Sequence, residues 1–355
     1  MAKIIYGVSG EGSGHSSRAR LITEYLIDQG HEVKIVSYDR GYRNLSGDFD
    51  VLEIVGLTIV SEDNEVSKLK TIAANLTKLP EGTRAFNSLR GLFKQFSPDC
   101  VISDFEPTTA YLANHYKLPL ISLDNQHRMR YMDYVCPDEL KQEAFVTETV
   151  IRAMVPKPWV SLITTFHFDP LKNSHSFLFP PILRKNILAL DTTEQDHILV
   201  YITSGFDSLI DCLDSFDREQ FIVYGSEHSG QRNNILFKEF SADGFPRDLA
   251  ACKAVIATAG FTLISEALYL NKPYLAFPMQ GQFEQQLNAH MLEKKGYGVC
   301  GGKVDEKTIA AFLYQLPKYK TTLSQYPRDA NHQIQQKLDE LLGDNLKHLL
   351  AFKPQ

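Results

Sequence analysis

Lysine and arginine nowhere gather into a dense run with aromatics between them, and the 43 acidic residues outnumber the 37 basic ones, for a formal net charge of -6. Such a chain has no general attraction for a polyanion, so nucleic acid is not expected as a partner. Cysteine is sparse. Cys100, Cys136, Cys212, Cys252 and Cys300 are an odd five without Cys-x-x-Cys or Cys/His ligand spacing, which argues against a disulfide framework and a structural zinc and for a reducing compartment. No stretch is apolar for long enough to span a bilayer, and the run Ile4 to Val8 is too short for the core of a signal peptide, so a cytoplasmic location is expected.

What is present is an ordinary globular composition, 43% hydrophobic and 23% charged, over 355 residues. That length exceeds what one core usually serves and predicts two domains with a cleft between them. Strand, turn and helix alternate along the chain, which implies an α/β protein with parallel sheets. Lys3 to Val8 reads as a buried strand, Ser9 to Gly14 as a turn, His15 to Gln29 as a helix and Glu32 to Ser37 as a second strand. Further strands are expected at Pro98–Asp104, Leu118–Asp124, Ile198–Ile202, Gln220–Tyr224, Ala254–Ala257 and Tyr274–Phe277. Periodicity fails between Phe166 and Arg184 amid Pro170, Pro180 and Pro181, the expected linker. The predicted domains are 1–175 and 176–330, with 331–355 a helix that could cross back to the first.

In the stretch from Ala254 to Ala267 a buried strand runs through Thr258-Ala259-Gly260 into a helix carrying Thr262 and Glu266. A helix N-terminus after a small-residue turn suits a diphosphate, and Glu266, on the same face as Thr262, could accept from two ribose hydroxyls. After the next strand, Pro278 leads into a polar loop and a helix with Gln282, Glu284, Gln285, Gln286, Asn288 and Ala289, the mixed donors and acceptors that sugar hydroxyls need. Singly, a Glu on a helix is ordinarily a solvated face and a Gly after a strand ordinarily a turn. The ordered series is harder to meet by chance.

This series resembles the nucleotide-sugar glycosyltransferases of the GT-B fold, two Rossmann-like domains facing each other across a cleft, in particular the peptidoglycan N-acetylglucosaminyltransferase and plant-type UDP-glycosyltransferase branches. The resemblance implies that Glu266 binds ribose, that Thr258, Ala259, Gly260 and Thr262 lie against the diphosphate, and that Gln282, Glu284 and Gln285 meet the donor sugar. It also implies that Phe240 to Leu249 borders the base and that Ser204 and Gly205 form a second phosphate-side turn. The plant-type branch has a His where this chain has Thr258.

The loop Gly10-Glu11-Gly12-Ser13-Gly14-His15 lacks the third glycine of a dinucleotide fingerprint, whose place His15 takes. It resembles instead the Gly-x-Gly-x-Gly-His turn of a little-characterised bacterial and archaeal GT-B group, which shares Ser103-Asp104-Phe105-Glu106-Pro107 and Asp124-Asn125-Gln126-His127. Glycosyl transfer needs a base for the attacking hydroxyl. The resemblance assigns that role to His15, oriented by Asp104, with Gly12, Gly14, Arg18, Asn125 and His127 on the acceptor side. The plain alternative is that His15 and Asp104 only cap helices.

The expected reaction is an inverting, metal-independent transfer of a hexosyl group, from a UDP-sugar by preference, to a hydroxyl of a glycan, lipid-linked or small-molecule acceptor. No metal or cofactor is expected besides the donor. A nucleotide-sugar 2-epimerase of the same fold and a non-catalytic sugar-nucleotide-binding protein stand as alternatives. Ser67 to Ser97 is basic and amphipathic, which fits either peripheral contact with a membrane at its inner face or a helix packed on the first domain.

Overall fold

The computed structural model describes residues 1–56, 61–62, 65–66, 79–202 and 207–354. The chain divides into two compact units, one of Met1–Val60, Ser67–Ile182 and Asp329–Gln355, the other of Ser61–Val66 and Leu183–Arg328.

In the first unit, strands β1 (Lys3–Val8), β2 (Glu32–Ser37) and β3 (Val51–Glu53) run outward from the middle of one sheet. A short hairpin, β4 (Ser61–Glu62) with β5 (Glu65–Val66), belongs to the second unit. The first sheet resumes with β6 (Cys100–Asp104), β7 (Leu120–Asp124), β8 (Val160–Thr164) and β9 (Ser176–Phe179), giving the order β3-β2-β1-β6-β7-β8-β9, every pair parallel. Every residue of β6, β7 and β8 is buried, as continuous apolar runs between two helical layers require. The strand order reverses between β1 and β6, and at such a point the loops beyond the carboxyl ends of the strands diverge and leave room for a ligand. The Gly10–Gly14 loop and Asp104 follow those two strands.

The predicted linker is shorter than the loss of periodicity suggested. Ser176–Phe179 pairs with β8 as an edge strand and Phe179 enters the core, so the units divide after Ile182 instead of at 175. Pro170, Pro180 and Pro181 flank that strand without occupying a ladder position, which is where an edge tolerates proline. At the other end the helical segment His332–Leu350, kinked at Gly343 to Leu346, packs Ile334, Leu338, Leu341, Leu342, Leu346 and Leu349 among Ile4, Tyr6, Ile22 and Ile102. The chain therefore returns to the first unit for its last segment.

The apolar face of helix Leu79–Phe96 is spent in the same way. Leu89, Phe93 and Phe96 pack on the underside of the sheet with Val36, Val101 and Leu120. Of the segment Ser67–Ser97 this half is a packed helix; 67–78 lie outside the described residues. Among the described residues no helix is long and apolar enough to cross a membrane.

In the second unit β10 (His197–Tyr201), β11 (Gln220–Tyr224), β12 (Gly230–Arg232), β13 (Ile235–Lys238), β14 (Ala254–Thr258), β15 (Tyr274–Phe277) and β16 (Gly298–Cys300) form a sheet in the order β12-β13-β11-β10-β14-β15-β16, parallel except for β12 with β13. Its reversal lies between β10 and β14, so the Thr258-Ala259-Gly260 turn stands at the corresponding point. Ser204 and Gly205, after β10, lie outside the described residues. Of the segment Phe240–Leu249, the part from Gly244 onward is helical.

Candidate active site

In the first unit the turn after β6 is built by its own side chains. The Ser103 hydroxyl donates to the Glu106 carbonyl (2.9 Å) and accepts the Glu106 N–H (3.1 Å), while Glu106 caps helix Pro107–His115 by accepting from Thr108 N (2.8 Å) and Thr109 N (2.7 Å). Pro107 occupies the first helical turn, where its missing N–H costs nothing. Phe105, between them, has φ +54°, a left-handed conformation that a phenylalanine adopts only when its surroundings impose it. Its ring lies over His15, 6.5 Å between centroids and 16° from parallel. Gly7, on β1, has no room for a Cβ because Thr109 and Glu106 press on it. The Ser-Asp-Phe-Glu-Pro series is thus a device that aims Asp104 and Phe105 at one place.

His15 opens helix Gly14–Asp28 there. Its Nδ1 is 2.6 Å from Asp104 Oδ1. Arg18, one turn on, donates through Nε to Asp104 Oδ2 (2.6 Å), through Nη2 to Asp104 Oδ1 (2.6 Å) and through Nη1 to Asn125 Oδ1 (2.9 Å). Asp104 is fully buried, which by itself would raise its pKa; the charges of Arg18 and His15 and their hydrogen bonds outweigh burial and hold the carboxyl below its usual range. Arg18, read as an acceptor-side residue, is buried, with its Nε, Nη1 and Nη2 each bonded to Asp104 or Asn125. Gly12 is exposed, with φ +73° and open space around it, and Gly14 begins the helix.

His127 does not join His15. Its ring is fully buried, its Nδ1 lies 2.7 Å from Asp124 Oδ2, its backbone N–H donates to Asp124 Oδ1 (2.8 Å), and it stacks on Tyr131. Asp124 therefore closes the turn that presents Asn125 to Arg18.

In the second unit the turn after β14 is clamped from two sides. Tyr274 donates its hydroxyl to the Thr258 carbonyl (2.7 Å), and Asn288 Nδ2 donates to the Ala259 carbonyl (2.9 Å). Gly260 caps helix Phe261–Tyr269 without a side chain, a Cβ there would meet nothing within 4 Å, and no acidic residue occupies the first turn. The helix itself therefore carries no acidic side chain against its N-terminal partial charge. Thr262 is half-buried on its first turn.

Glu266, buried on the same helix, receives Arg184 Nε on Oε1 and Nη2 on Oε2, both at 2.7 Å. Burial raises its pKa, and the hydrogen bonds and charge of Arg184 only partly offset this. Arg184 carries no motif in the sequence; its position directly after the Pro180-Pro181 break was the one available signal. Gln285 donates to Gln282 Oε1 (2.8 Å) and accepts from Met279 N (3.2 Å), and Glu284 stands half-buried in the first turn of helix Phe283–Lys294. These polar groups close the loop after β15 beside Gly281, at φ +73°. Phe240 packs against the rings of Tyr201, Tyr224 and Phe245.

No group of three or more His, Cys, Asp or Glu side chains among the described residues is placed to hold a metal. The chain has one Asp-x-Asp spacing, and both carboxylates are committed: Asp48 to Arg20 (2.7 Å) and Asp50 to Lys34 (2.5 Å).

Two parallel-sheet units of this kind are those of the GT-B glycosyltransferases. The chain aligns with the glycosyltransferase of kitacinnamycin at TM-score 0.71 and 14% identity over 96% of this chain and 99% of that one, and with the calicheamicin glycosyltransferase at TM-score 0.70 and 14% identity over 97% and 99%. The sequence belongs to glycosyl transferase family 1, which it matches over residues 2–317, and the protein is a glycosyltransferase. It is 27% identical over 329 residues to an uncharacterised glycosyltransferase of Methanosarcina acetivorans, covering 83% of this chain and 84% of that one. Over 98 residues, 26% of this chain and 27% of the relative, it is 31% identical to a UDP-N-acetylglucosamine--N-acetylmuramyl-(pentapeptide) pyrophosphoryl-undecaprenol N-acetylglucosamine transferase of Bacillus cereus.

Proposed function

We propose that the protein transfers a hexosyl group from a pyrimidine nucleoside diphosphate sugar, UDP-linked by preference, to a hydroxyl of a glycan or lipid-linked acceptor, inverting the anomeric centre. The observation that carries the mechanism is the His15–Asp104 contact at 2.6 Å. With Asp104 held as the anion, the proton between them belongs to His15 Nδ1, and Nε2 keeps the lone pair that takes the acceptor proton. As the acceptor oxygen bonds to the anomeric carbon, its proton passes to Nε2 and the carbon–oxygen bond to the diphosphate breaks, the leaving group taking the electron pair. One displacement inverts the centre.

The donor is assigned to the second unit, its diphosphate at the N-terminus of helix Phe261–Tyr269 and its ribose at Glu266. Backbone N–H groups there suit the charge that grows on the leaving diphosphate, and a metal ion has no part in the proposal. The pyrimidine preference is supported by the Bacillus relative, named for a UDP-sugar, and by a Streptomyces glycosyltransferase solved with thymidine diphosphate, which aligns at TM-score 0.59 and 14% identity. The reaction is placed in the cytoplasm, in keeping with five free cysteines.

Incubation with UDP-, dTDP- and GDP-sugars, with and without a lysate-derived acceptor fraction, tests this reading. Nucleoside diphosphate released only when the acceptor fraction is present is the expected result. A new sugar nucleotide formed without acceptor would point to epimerisation and overturn it.

A further inference from the structure

The polar neighbours of the His15 imidazole, Asp104 Oδ1 at 2.6 Å and Arg18 Nη2 at 2.7 Å, both lie against the same atom, Nδ1. A hydrogen bond tolerates some tens of degrees of tilt, and the second side-chain torsion of histidine is a broad well. Contacts at one atom therefore set where Nδ1 sits and leave the plane of the ring loosely held. That plane decides where Nε2 points. A misplacement of about 1 Å at a reacting group costs roughly 10²-fold in rate, so a base needs its plane fixed as well as its partner.

The flat surface against this ring is Phe105. The two centroids are 6.5 Å apart and the planes 16° from parallel, an offset stack of the kind aromatic pairs favour. The same side chain packs against the core of Ile5, Val36 and Val101, so it is anchored where it stands.

The backbone explains how Phe105 comes to be there. Consecutive residues of a strand point to opposite faces, so an extended chain through Asp104 and Phe105 would send only one of the two side chains to His15. At φ +54° Phe105 leaves the extended conformation, and both side chains meet the same imidazole. The bonds between the Ser103 hydroxyl and the Glu106 backbone, and the Glu106 cap on the next helix, hold this turn closed. Glycine would take the left-handed position without strain. What phenylalanine adds there is the ring.

We infer that Phe105 is a positioning residue for glycosyl transfer: its ring fixes the plane of the His15 imidazole, and with it the direction of Nε2 toward the acceptor hydroxyl. The inference rests on the reading of His15 as the base. It gives each member of the Ser103-Asp104-Phe105-Glu106-Pro107 series a task. Ser103, Glu106 and Pro107 build the turn, Asp104 supplies the hydrogen-bond partner of the histidine, and Phe105 supplies its flat neighbour.

The test compares Phe105→Tyr, Phe105→Ala and Phe105→Gly. Three quantities are read: acceptor-dependent diphosphate release, UDP affinity by calorimetry, and carbon relaxation of the His15 imidazole in the resting protein. Phe105→Ala and Phe105→Gly should lose turnover by about 10–100-fold with UDP affinity within about twofold of the parent, and their imidazole should relax as a more mobile ring. Phe105→Tyr keeps the flat face and should retain the turnover and the ordered imidazole that the other two lose. Chemical unfolding separates strain from function, because alanine keeps the left-handed strain and glycine removes it. Phe105→Gly should therefore unfold at a higher denaturant midpoint than Phe105→Ala and yet be no more active; it decides the matter if the alanine variant does not fold. Turnover that returns with stability in Phe105→Gly would reduce Phe105 to a structural residue and overturn the inference. An imidazole as ordered as in the parent in the folded alanine and glycine variants would overturn it too. The relaxation reading needs no turnover, so it stands apart from the base role itself, which falls if His15→Ala remains active.

Discussion

Asp104 and Glu266 are both buried carboxylates held by two arms of an arginine, yet their protonation equilibria move in opposite directions, Asp104 down and Glu266 up. The partners explain the difference. The Arg18 side chain is 7% exposed and is joined by His15, so its charge acts through protein, whereas the Arg184 side chain is 36% exposed and water screens it. Asp104 accepts from Arg18 twice and lies against His15 Nδ1, and its carboxyl is held below the usual range. Glu266 keeps lone pairs beyond the two that Arg184 uses, and its charge is conditional. The first suits a fixed electrostatic part of a proton-transfer site, the second a group that exchanges partners with a ligand.

That contrast can be broken by substitution. The largest effect is expected for His15→Ala, which should cut turnover by about 10²–10⁴-fold, the usual contribution of a general base, while donor affinity measured by calorimetry stays within about twofold. Asp104→Asn leaves the Arg18 charge buried without its anion; chemical unfolding should show a loss of about 3–5 kcal/mol, and a loss below about 1 kcal/mol would mean that the pair does not behave as a buried one. Glu266→Ala should weaken donor binding by roughly 10–100-fold through the lost charged hydrogen bonds, with no comparable loss of fold stability.

Acid sharpens the comparison. A carboxylate whose pKa is raised in the fold takes up its proton first as pH falls, so donor affinity should decline on acidification at a higher pH than an ordinary carboxylate would give, and at a higher pH still in Arg184→Met. Asp104, with its pKa lowered, contributes stability that is present above the ordinary carboxylate range and lost only as pH falls through the depressed value. Donor binding should therefore fade while the first unit remains folded. A donor Kd that is flat with pH in both the parent and Arg184→Met would contradict the conditional charge of Glu266. The smallest effect is expected for Asn288→Ala, which frees the Ala259 carbonyl from its 2.9 Å bond and should cost about 1–2 kcal/mol of stability with a few-fold loss of donor affinity.

The two regions also differ in how far the sequence disclosed them. The alternation of strand and helix was legible because parallel strands buried on both faces leave continuous apolar runs, and the Gly-His and Ser-Asp-Phe-Glu-Pro series could be placed at strand ends from that alone. Their meeting was legible only through resemblance. What local pattern could not disclose was the partner of each charge. The resemblance puts Arg18 and Asn125 on the acceptor side, and only the packing of β6 beside β1 and of β7 beside β6 shows that Arg18 binds Asp104 and Asn125. Arg184 lies 82 residues from Glu266 in a stretch without periodicity, so no motif pairs the two. The edge strand Ser176–Phe179 was hidden by flanking prolines, and His127 by a motif that placed it near the site while its ring serves the loop.

The proposed reaction divides its labour, proton transfer in the first unit and donor binding in the second. Its most direct test is calorimetric titration of UDP into His15→Ala and Glu266→Ala alongside acceptor-dependent diphosphate release. The account predicts parent-like UDP affinity without turnover in the first and weakened affinity in the second; parent-like turnover in His15→Ala, or unchanged UDP affinity in Glu266→Ala, would contradict it.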